Sequence, residues 1–527
     1  MAGLAILLAG AAVGLGLARW LKLPAIPLLI VAGVLLSLAD VLPPAELLQD
    51  SLLLGLTFLV FLSGVELSPR RVGRQRRAAL QVGAAQFFIL GGLGLIASLA
   101  LGFALAQAMY LALALSASST LVVVRILRSR KQMFEPFGRL VIGVLLLQDL
   151  LVILLIPAVV RVPEGAVAAV TGLAAALALT GLALVTLRWI TPLIVTRLSL
   201  DDEGTLLVAL AILFAYLGLA ELLNLPLVAG AFLAGVSLSA FPVSGIMRAQ
   251  LNSLSDFFAA LFFTALGGSL VLPSLAGLAQ AGVLAAVVLL ATPPLVTMVA
   301  ERAGHSARSA IESGLLLAQT SEFSLIVGLQ ALAFGHIDQE IFSIIALITV
   351  ATMILTPFIS TDRATWRLMA FHPVRRGLHV REDLHDHVLL LGCGDNGMPL
   401  LETLVSAGHE VLVVDDDPAV IERLREGEVP AIRGDGADLE VLRAAGATRA
   451  RLVISTMRRP QDHLALLDLV QGVPVVVRVF EPDDAAAISL RGGTPILYSH
   501  AAADEFVRWL AQADKVGLDR ERRAHPR

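Results

Sequence analysis

From Met1 to about Ser360 the chain is a succession of long apolar runs separated by short polar ones, and from about Asp362 to Arg527 it changes to mixed hydrophobic and charged positions. A hydrocarbon core roughly 30 Å thick takes about twenty helical residues. Runs of that kind fall near residues 3–19, 25–41, 51–68, 78–103, 107–124, 140–160, 166–187, 204–220, 225–241, 256–272, 277–299, 310–333 and 341–360. They predict thirteen membrane helices. With the N-terminus outside, the arginines and lysines from Arg19 to Arg308 fall on odd-numbered, cytoplasmic loops and only Arg161 falls on the other side, the bias the positive-inside rule demands. The odd number places the C-terminal half in the cytoplasm.

That half has a different period. Val388 to Leu391 reads as a buried strand, and Gly392-Cys393-Gly394-Asp395-Asn396-Gly397 as the tight turn that opens a helix through about Ala407. A second strand, Glu410 to Val414, ends at Asp415, 18 residues beyond Gly397. Strand, glycine turn, helix, strand and acid in this order fit a nucleotide site, with Gly392, Gly394 and Gly397 letting the backbone approach a phosphate and Asp415 reaching the ribose hydroxyls. Ala431-Ile432, Leu452 to Ile454 and Val475 to Val479 continue a parallel sheet. The chain therefore divides into a membrane domain over 1–362, a linker over 363–387, a Rossmann-like α/β domain over 388–515 and a disordered tail over 516–527.

Composition narrows the class. A content of 57% hydrophobic residues, 16% charged residues and a mean hydropathy of +0.83 describe a polytopic membrane protein rather than a soluble enzyme. The net charge of −4 averages two unlike regions and decides nothing, and no nucleic-acid partner is expected. The single cysteine, Cys393, rules out an intrachain disulfide. It sits in the glycine turn, where a small residue is needed, and nothing offers it a resolving thiol. The first apolar run lacks a basic leader and a small-residue cleavage site, so it reads as a membrane helix.

Chemistry inside the spans is sparse and clustered. The run Leu140 to Val160 holds one ionisable residue, Asp149, the tenth of its 21 positions and so near the bilayer midplane. A carboxylate at that depth costs about 2.5–3.5 kcal/mol even on a lenient scale and marks ion or proton pathways. The fifth span carries Ser116, Ser118, Ser119 and Thr120, and the twelfth carries Gln319, Thr320, Ser321 and Glu322. An isolated serine or threonine commonly back-bonds to its own helix. Two tight clusters at mid-depth instead predict paired helix interruptions of the sort that bind substrate in secondary transporters.

Leu146-Leu147-Gln148-Asp149, Ser118-Ser119-Thr120, Gly230-Ala231-Phe232-Leu233-Ala234-Gly235, Leu261-Phe262-Phe263 and Ser321-Glu322-Phe323 stand in the order found in monovalent cation:proton antiporter-2 proteins, and the chain most resembles Kef-type potassium/proton antiporters. The resemblance implies thirteen helices in two inverted repeats, two crossed broken helices, a dimerisation domain and elevator-like alternating access in a bacterial inner membrane. It implies competitive binding of one cation (K+ or Na+) and H+ at Asp149, with Gln148 beside it, Ser118, Ser119 and Thr120 on the first crossed helix, and Gln319 and Glu322 on the second. Electrogenic relatives carry two adjacent acids where this chain has Gln148-Asp149. They often add a lysine where Thr292 falls, and no Lys or Arg occurs between Gly267 and Arg302. One buried carboxylate then implies one-for-one, electroneutral exchange, with K+ favoured over Na+ by the resemblance.

The C-terminal half resembles the TrkA N-terminal or regulator-of-potassium-conductance fold, with Gly434-Asp435 matching that family's Gly-Asp pair on the adenine side of its ligand. The resemblance implies a homodimer and a regulatory adenine nucleotide, adenosine monophosphate or NAD(H), with no catalytic cofactor. Two other classes compete. A nucleotide-gated cation channel lacks a TVGYG-like filter run here, and a membrane-tethered NAD-dependent oxidoreductase would have no second domain to hold its substrate.

Overall fold

Two interrupted helix pairs shape the membrane half. Serine and threonine hydroxyls compete for backbone groups and favour helix starts over helix interiors, and both polar clusters break their spans. Helix α5 (Leu105–Leu115) stops at Ser116, and α6 (Thr120–Ser129) begins with Ser119 as its N-cap, the hydroxyl accepting from the Val122 amide. In the same way α14 (Ala307–Leu317) gives out before Gln319, and α15 (Glu322–Ala333) begins with Ser321 accepting from the Phe323 amide. The structure is a computed structural model, and it describes residues 2–21, 23–42, 44–66, 75–133, 135–198, 202–239, 245–373, 385–394 and 397–524.

The other helices of this half are α1 (Ala2–Leu21), α2 (Ala25–Leu38), α3 (Ala45–Glu66), α4 (Arg76–Ala100), α7 (Pro136–Val160), α8 (Ala166–Val185), α9 (Thr191–Leu198), α10 (Asp202–Leu222), α11 (Leu227–Leu238), α12 (Gly245–Gly268), α13 (Leu275–Arg302) and α16 (Gln339–Ile359). Among the described residues nine helical stretches are long and apolar enough to cross a membrane, each broken pair counting once, and four shorter apolar helices join them. Together they match the thirteen runs read from the sequence. Two pairs of the shorter helices approach with almost nothing between their backbones. A Cβ on Gly235 of α11 would run into the Phe61 carbonyl of α3, and one on Gly33 of α2 into the Thr264 carbonyl of α12.

Contact clustering divides the chain into two compact units, Met1–Ala303 with Ser309–Thr365, and Gly304–Arg308 with Trp366–Arg527. The boundaries differ from the sequence expectation in two places. The linker expected over 363–387 starts as helix, α17 (Asp362–Phe371), and its residues 374–384 lie outside the described residues. The tail expected to be disordered over 516–527 is helical to Ala524 as the end of α18 (Tyr498–Ala524), with 525–527 outside the described residues.

The second unit is a six-stranded parallel sheet in the order β3-β2-β1-β4-β5-β6. Its strands are β1 (Val388–Leu391), β2 (Val411–Asp415), β3 (Ala431–Arg433), β4 (Leu452–Ser455), β5 (Val475–Val479) and β6 (Thr494–Leu497). Every residue of β1 and β2 is buried, as a parallel strand covered on both faces requires. The order reverses between β1 and β4, so the crevice beyond their carboxyl ends, where the glycine turn lies, is where such sheets bind ligands.

Candidate functional site

In the membrane half three helices bring the predicted residues together. The middle of α7 supplies Gln148 and Asp149, the first break supplies Ser118, Ser119 and Thr120, and the second supplies Glu322. Asp149 is 2% exposed and Glu322 3%, so around the two breaks the described residues hold two buried acids where the exchange argument from sequence counted one. Their surroundings differ. Glu322 stands at the first position of α15, where a carboxylate suits the unsatisfied amides of a helix start. Its Oε2 accepts from the Ser119 hydroxyl at 2.7 Å, and the Ser321 hydroxyl and the amides of Leu121 and Glu322 also bond its carboxylate. Asp149 receives one bond, from the Thr120 hydroxyl to Oδ2 at 2.9 Å. Its Oδ1 is buried with no hydrogen-bond partner among the described residues.

The breaks are tied to each other and to their neighbours. The Ser118 amide donates to Gln148 Oε1 at 3.1 Å, and the Ser118 hydroxyl donates to the carbonyl of Leu317, the last residue of α14, at 2.7 Å. Ser324 on α15 donates to the Ala114 carbonyl on α5. Thr320 is held from α16, its amide donating to Thr352 and its hydroxyl to Thr349, each at 3.2 Å. Gln319, expected in the ion site, is buried, and its side chain bonds back to the Leu316 carbonyl at the end of α14 at 3.3 Å, with its Oε1 unpartnered among the described residues. Thr292, at the place of the relatives' lysine, is fully buried and its hydroxyl has no partner among the described residues.

The sequence reading missed Gln86. It lies mid-way along α4, is fully buried, and donates from Nε2 to the Ser118 hydroxyl at 2.9 Å and to the Leu317 carbonyl at 3.4 Å. Its signal in the sequence was a lone amide in an apolar span, weaker than a cluster. Thr349 and Thr352 were missed for the same reason.

In the second unit the glycine turn leaves β1 at Gly392, whose φ of +84° suits a residue without a side chain. A Cβ on Gly397 would collide with the Gly392 carbonyl, whereas one on Gly394 would meet nothing among the described residues. Residues 395–396 of the turn lie outside the described residues. Asp415 ends β2 and folds back on the turn, its Oδ2 accepting from the Cys393 amide at 2.6 Å and its Oδ1 from the Asp417 amide at 2.8 Å. Burial raises its carboxyl, and burial together with Asp435 pushes Asp416 up to about 7. Asp435 accepts from the Ala437 amide at 2.9 Å and from the Arg308 guanidinium at 2.9 Å. Arg308 also grips Asp462 through two bonds of 3.0 Å and lies over the Trp366 ring, 4.8 Å from its centroid. Neither Arg308 nor Asp462 was expected there. Cys393 is fully buried and burial pushes its thiol up to about 11, so it fills space.

Comparison with known proteins decides the family. Residues 4–361 match the transmembrane sodium/hydrogen exchanger family. The chain belongs to that family. Residues 388–498 match the TrkA-N domain. The glutathione-regulated potassium-efflux system proteins KefC of Salmonella schwarzengrund (strain CVM19633) and Salmonella typhi are each 28% identical over 435 residues, covering 79% of this chain and 68% of theirs. The sodium proton antiporter MjNhaP1 from Methanocaldococcus jannaschii shares the fold of the membrane half, with a TM-score of 0.56 and 16% identity over 69% of this chain and 97% of that one. The protein is thus a multi-pass membrane protein of the sodium/hydrogen exchanger family with a TrkA-N domain after its transmembrane region.

Proposed function

We propose that the exchanger moves one monovalent cation against one proton at Asp149, with K+ preferred over Na+, in a bacterial inner membrane, as a homodimer controlled by an adenine nucleotide at the Gly392–Gly397 turn. The observation that carries this is the contrast between the two acids. Glu322 is saturated by hydroxyls and helix-start amides, whereas Asp149 keeps Oδ1 buried and unpartnered among the described residues. A buried, desolvated carboxylate oxygen without a donor is costly. Either a proton or a cation removes that cost, and both leave the site neutral. The empty, charged form is the one the apolar interior penalises, so the carrier crosses loaded and exchange is obligatory.

Potassium is favoured by the names of the Salmonella relatives, potassium-efflux proteins, and by the neutral Gln148 beside Asp149. Nucleotide control is supported by the room beside Gly394 among the described residues and by the acids Asp415 and Asp435 at the carboxyl ends of β2 and β3. Asp415 would take the ribose hydroxyls and Asp435 the adenine side. The nucleotide would act as a regulator, with no chemistry done on it.

Purified exchanger in proteoliposomes tests the reading with an internal pH dye. Adding K+ outside should release protons from the lumen of vesicles holding the parent, and Asp149→Asn should abolish the signal. Glu322→Gln keeps one acceptor oxygen and should retain exchange at reduced rate. Loss of proton coupling in Glu322→Gln with retention in Asp149→Asn would reverse the assignment.

A further inference from the structure

A proton needs one lone pair, but a cation stripped of its water needs several oxygens. Asp149 Oδ1 alone serves the first demand. The second needs neutral oxygen atoms, buried and not already committed to a donor.

Gln86 offers one whose orientation is fixed by its other end. The Leu317 carbonyl can only accept, so the amide end facing it is Nε2. The Ser118 hydroxyl spends its proton on the same carbonyl and therefore accepts from Nε2 as well. The amide cannot be turned over without setting its oxygen against the Leu317 carbonyl. Oε1 is thereby left inside the protein with both lone pairs unused and no described partner. Two hydrogen bonds and one peptide link lead from Gln86 to the acid. Gln86 bonds Ser118, the Ser118 amide bonds Gln148, and Gln148 adjoins Asp149, while Thr120, two residues after Ser118, bonds Asp149 directly.

We propose that Gln86 is a ligand of the transported cation, giving its Oε1 to the ion while its Nε2 ties the two helix breaks together. The inference rests on the exchange reading above and assigns Gln86 to the cation half of the cycle only. The clamp explains why a long polar side chain is kept fully buried in α4. The unused oxygen gives it a role that a clamp alone does not.

Gln86→Met keeps the length and removes both polar ends. In proteoliposomes its KM for K+ should rise about tenfold or more, the effect of losing one buried contact to a charge. The maximal rate at saturating K+ and the pH giving half that rate should stay near the parent's. A KM unchanged from the parent's, or a fall in maximal rate without a rise in KM, overturns the proposal. Gln86→Glu decides the matter if the Met variant does not fold. In its protonated form it keeps an oxygen at Oε1 and one O–H donor toward the Leu317 carbonyl, so its KM for K+ should equal or fall below the parent's, and a raised KM overturns the proposal. If the parent itself exchanges no protons for K+ or Na+, the exchange reading fails first, an outcome distinct from exchange that ignores Gln86.

Discussion

At the residue scale the two buried acids separate by what already satisfies them. Composition and motif could place Asp149 and Glu322 in interrupted or neighbouring spans, because a carboxylate inside twenty apolar residues stands out. They could not show which oxygen lacks a partner, since that depends on Ser119 and Thr120 pointing at different acids from adjacent positions. Gln86 was harder still: one amide in a helix has no periodicity to betray it, and its importance lies in contacts with residues 32 and 231 positions away. Cys393 was legible, because a turn between glycines needs a small residue and no second thiol exists. Its buried thiol, pushed up to about 11, is almost wholly protonated near neutral pH. Native exchanger should therefore react with N-ethylmaleimide roughly a hundredfold or more slower than a free thiol, and unfolding in urea should restore the rate. Mass spectrometry of the Cys393 peptide reads this directly, and fast labelling of the native chain would make the turn more open than its packing indicates.

At the element scale, hydropathy read the number of spans because membrane crossing sets a length that short runs and long runs both betray. It read the position of the breaks because hydroxyl clusters start helices. It did not read how close α3 and α11 lie, which depends on Gly64 and Gly235 facing one another's backbones. Gly235→Val should force those backbones apart and destabilise the fold by about 1–3 kcal/mol, seen as a lower melting temperature in detergent, whereas Gly92→Val, where a Cβ meets nothing, should leave it unchanged. The ends of β2 and β3 carry the pH dependence. Asp416, pushed up to about 7 by burial and Asp435, is protonated in the folded sheet at pH values where the unfolded chain has already released that proton. The folded state thus binds more protons between an ordinary aspartate's range near 4 and about 7, and its stability falls as pH rises through that window. Scanning calorimetry of the purified chain should show the nucleotide-domain transition moving down from pH 5 to pH 7 by more in the parent than in Asp416→Asn. Equal shifts in the two would place the titration elsewhere.

At the scale of the whole molecule, the change from apolar runs to mixed positions near Asp362 announced a transporter joined to a nucleotide-binding fold, and the glycine turn announced where that fold opens. What remains to be weighed is charge over a complete cycle. If Asp149 alone alternates between proton and cation while Glu322 keeps its state, the loaded carrier has the same charge in both directions. The membrane potential then does no work on exchange. If Glu322 also gave up a proton for each cation, one net charge would move per turnover, and the potential would contribute about 2.3 kcal/mol per 100 mV, displacing the balanced ion gradient roughly fiftyfold. The two cases are far enough apart to be measured without kinetics. Proteoliposomes poised at a fixed K+ gradient, with the pH gradient adjusted until proton flux vanishes, should balance when the two gradients are equal. Clamping the potential at zero or at 100 mV with a conducting counter-ion should leave that balance point in place. A shift of the balance point with potential would mean that Glu322, for all its bonds at the start of α15, releases its proton in the cycle, and that the contrast in partners between the two acids sets the order of their protonation rather than their number.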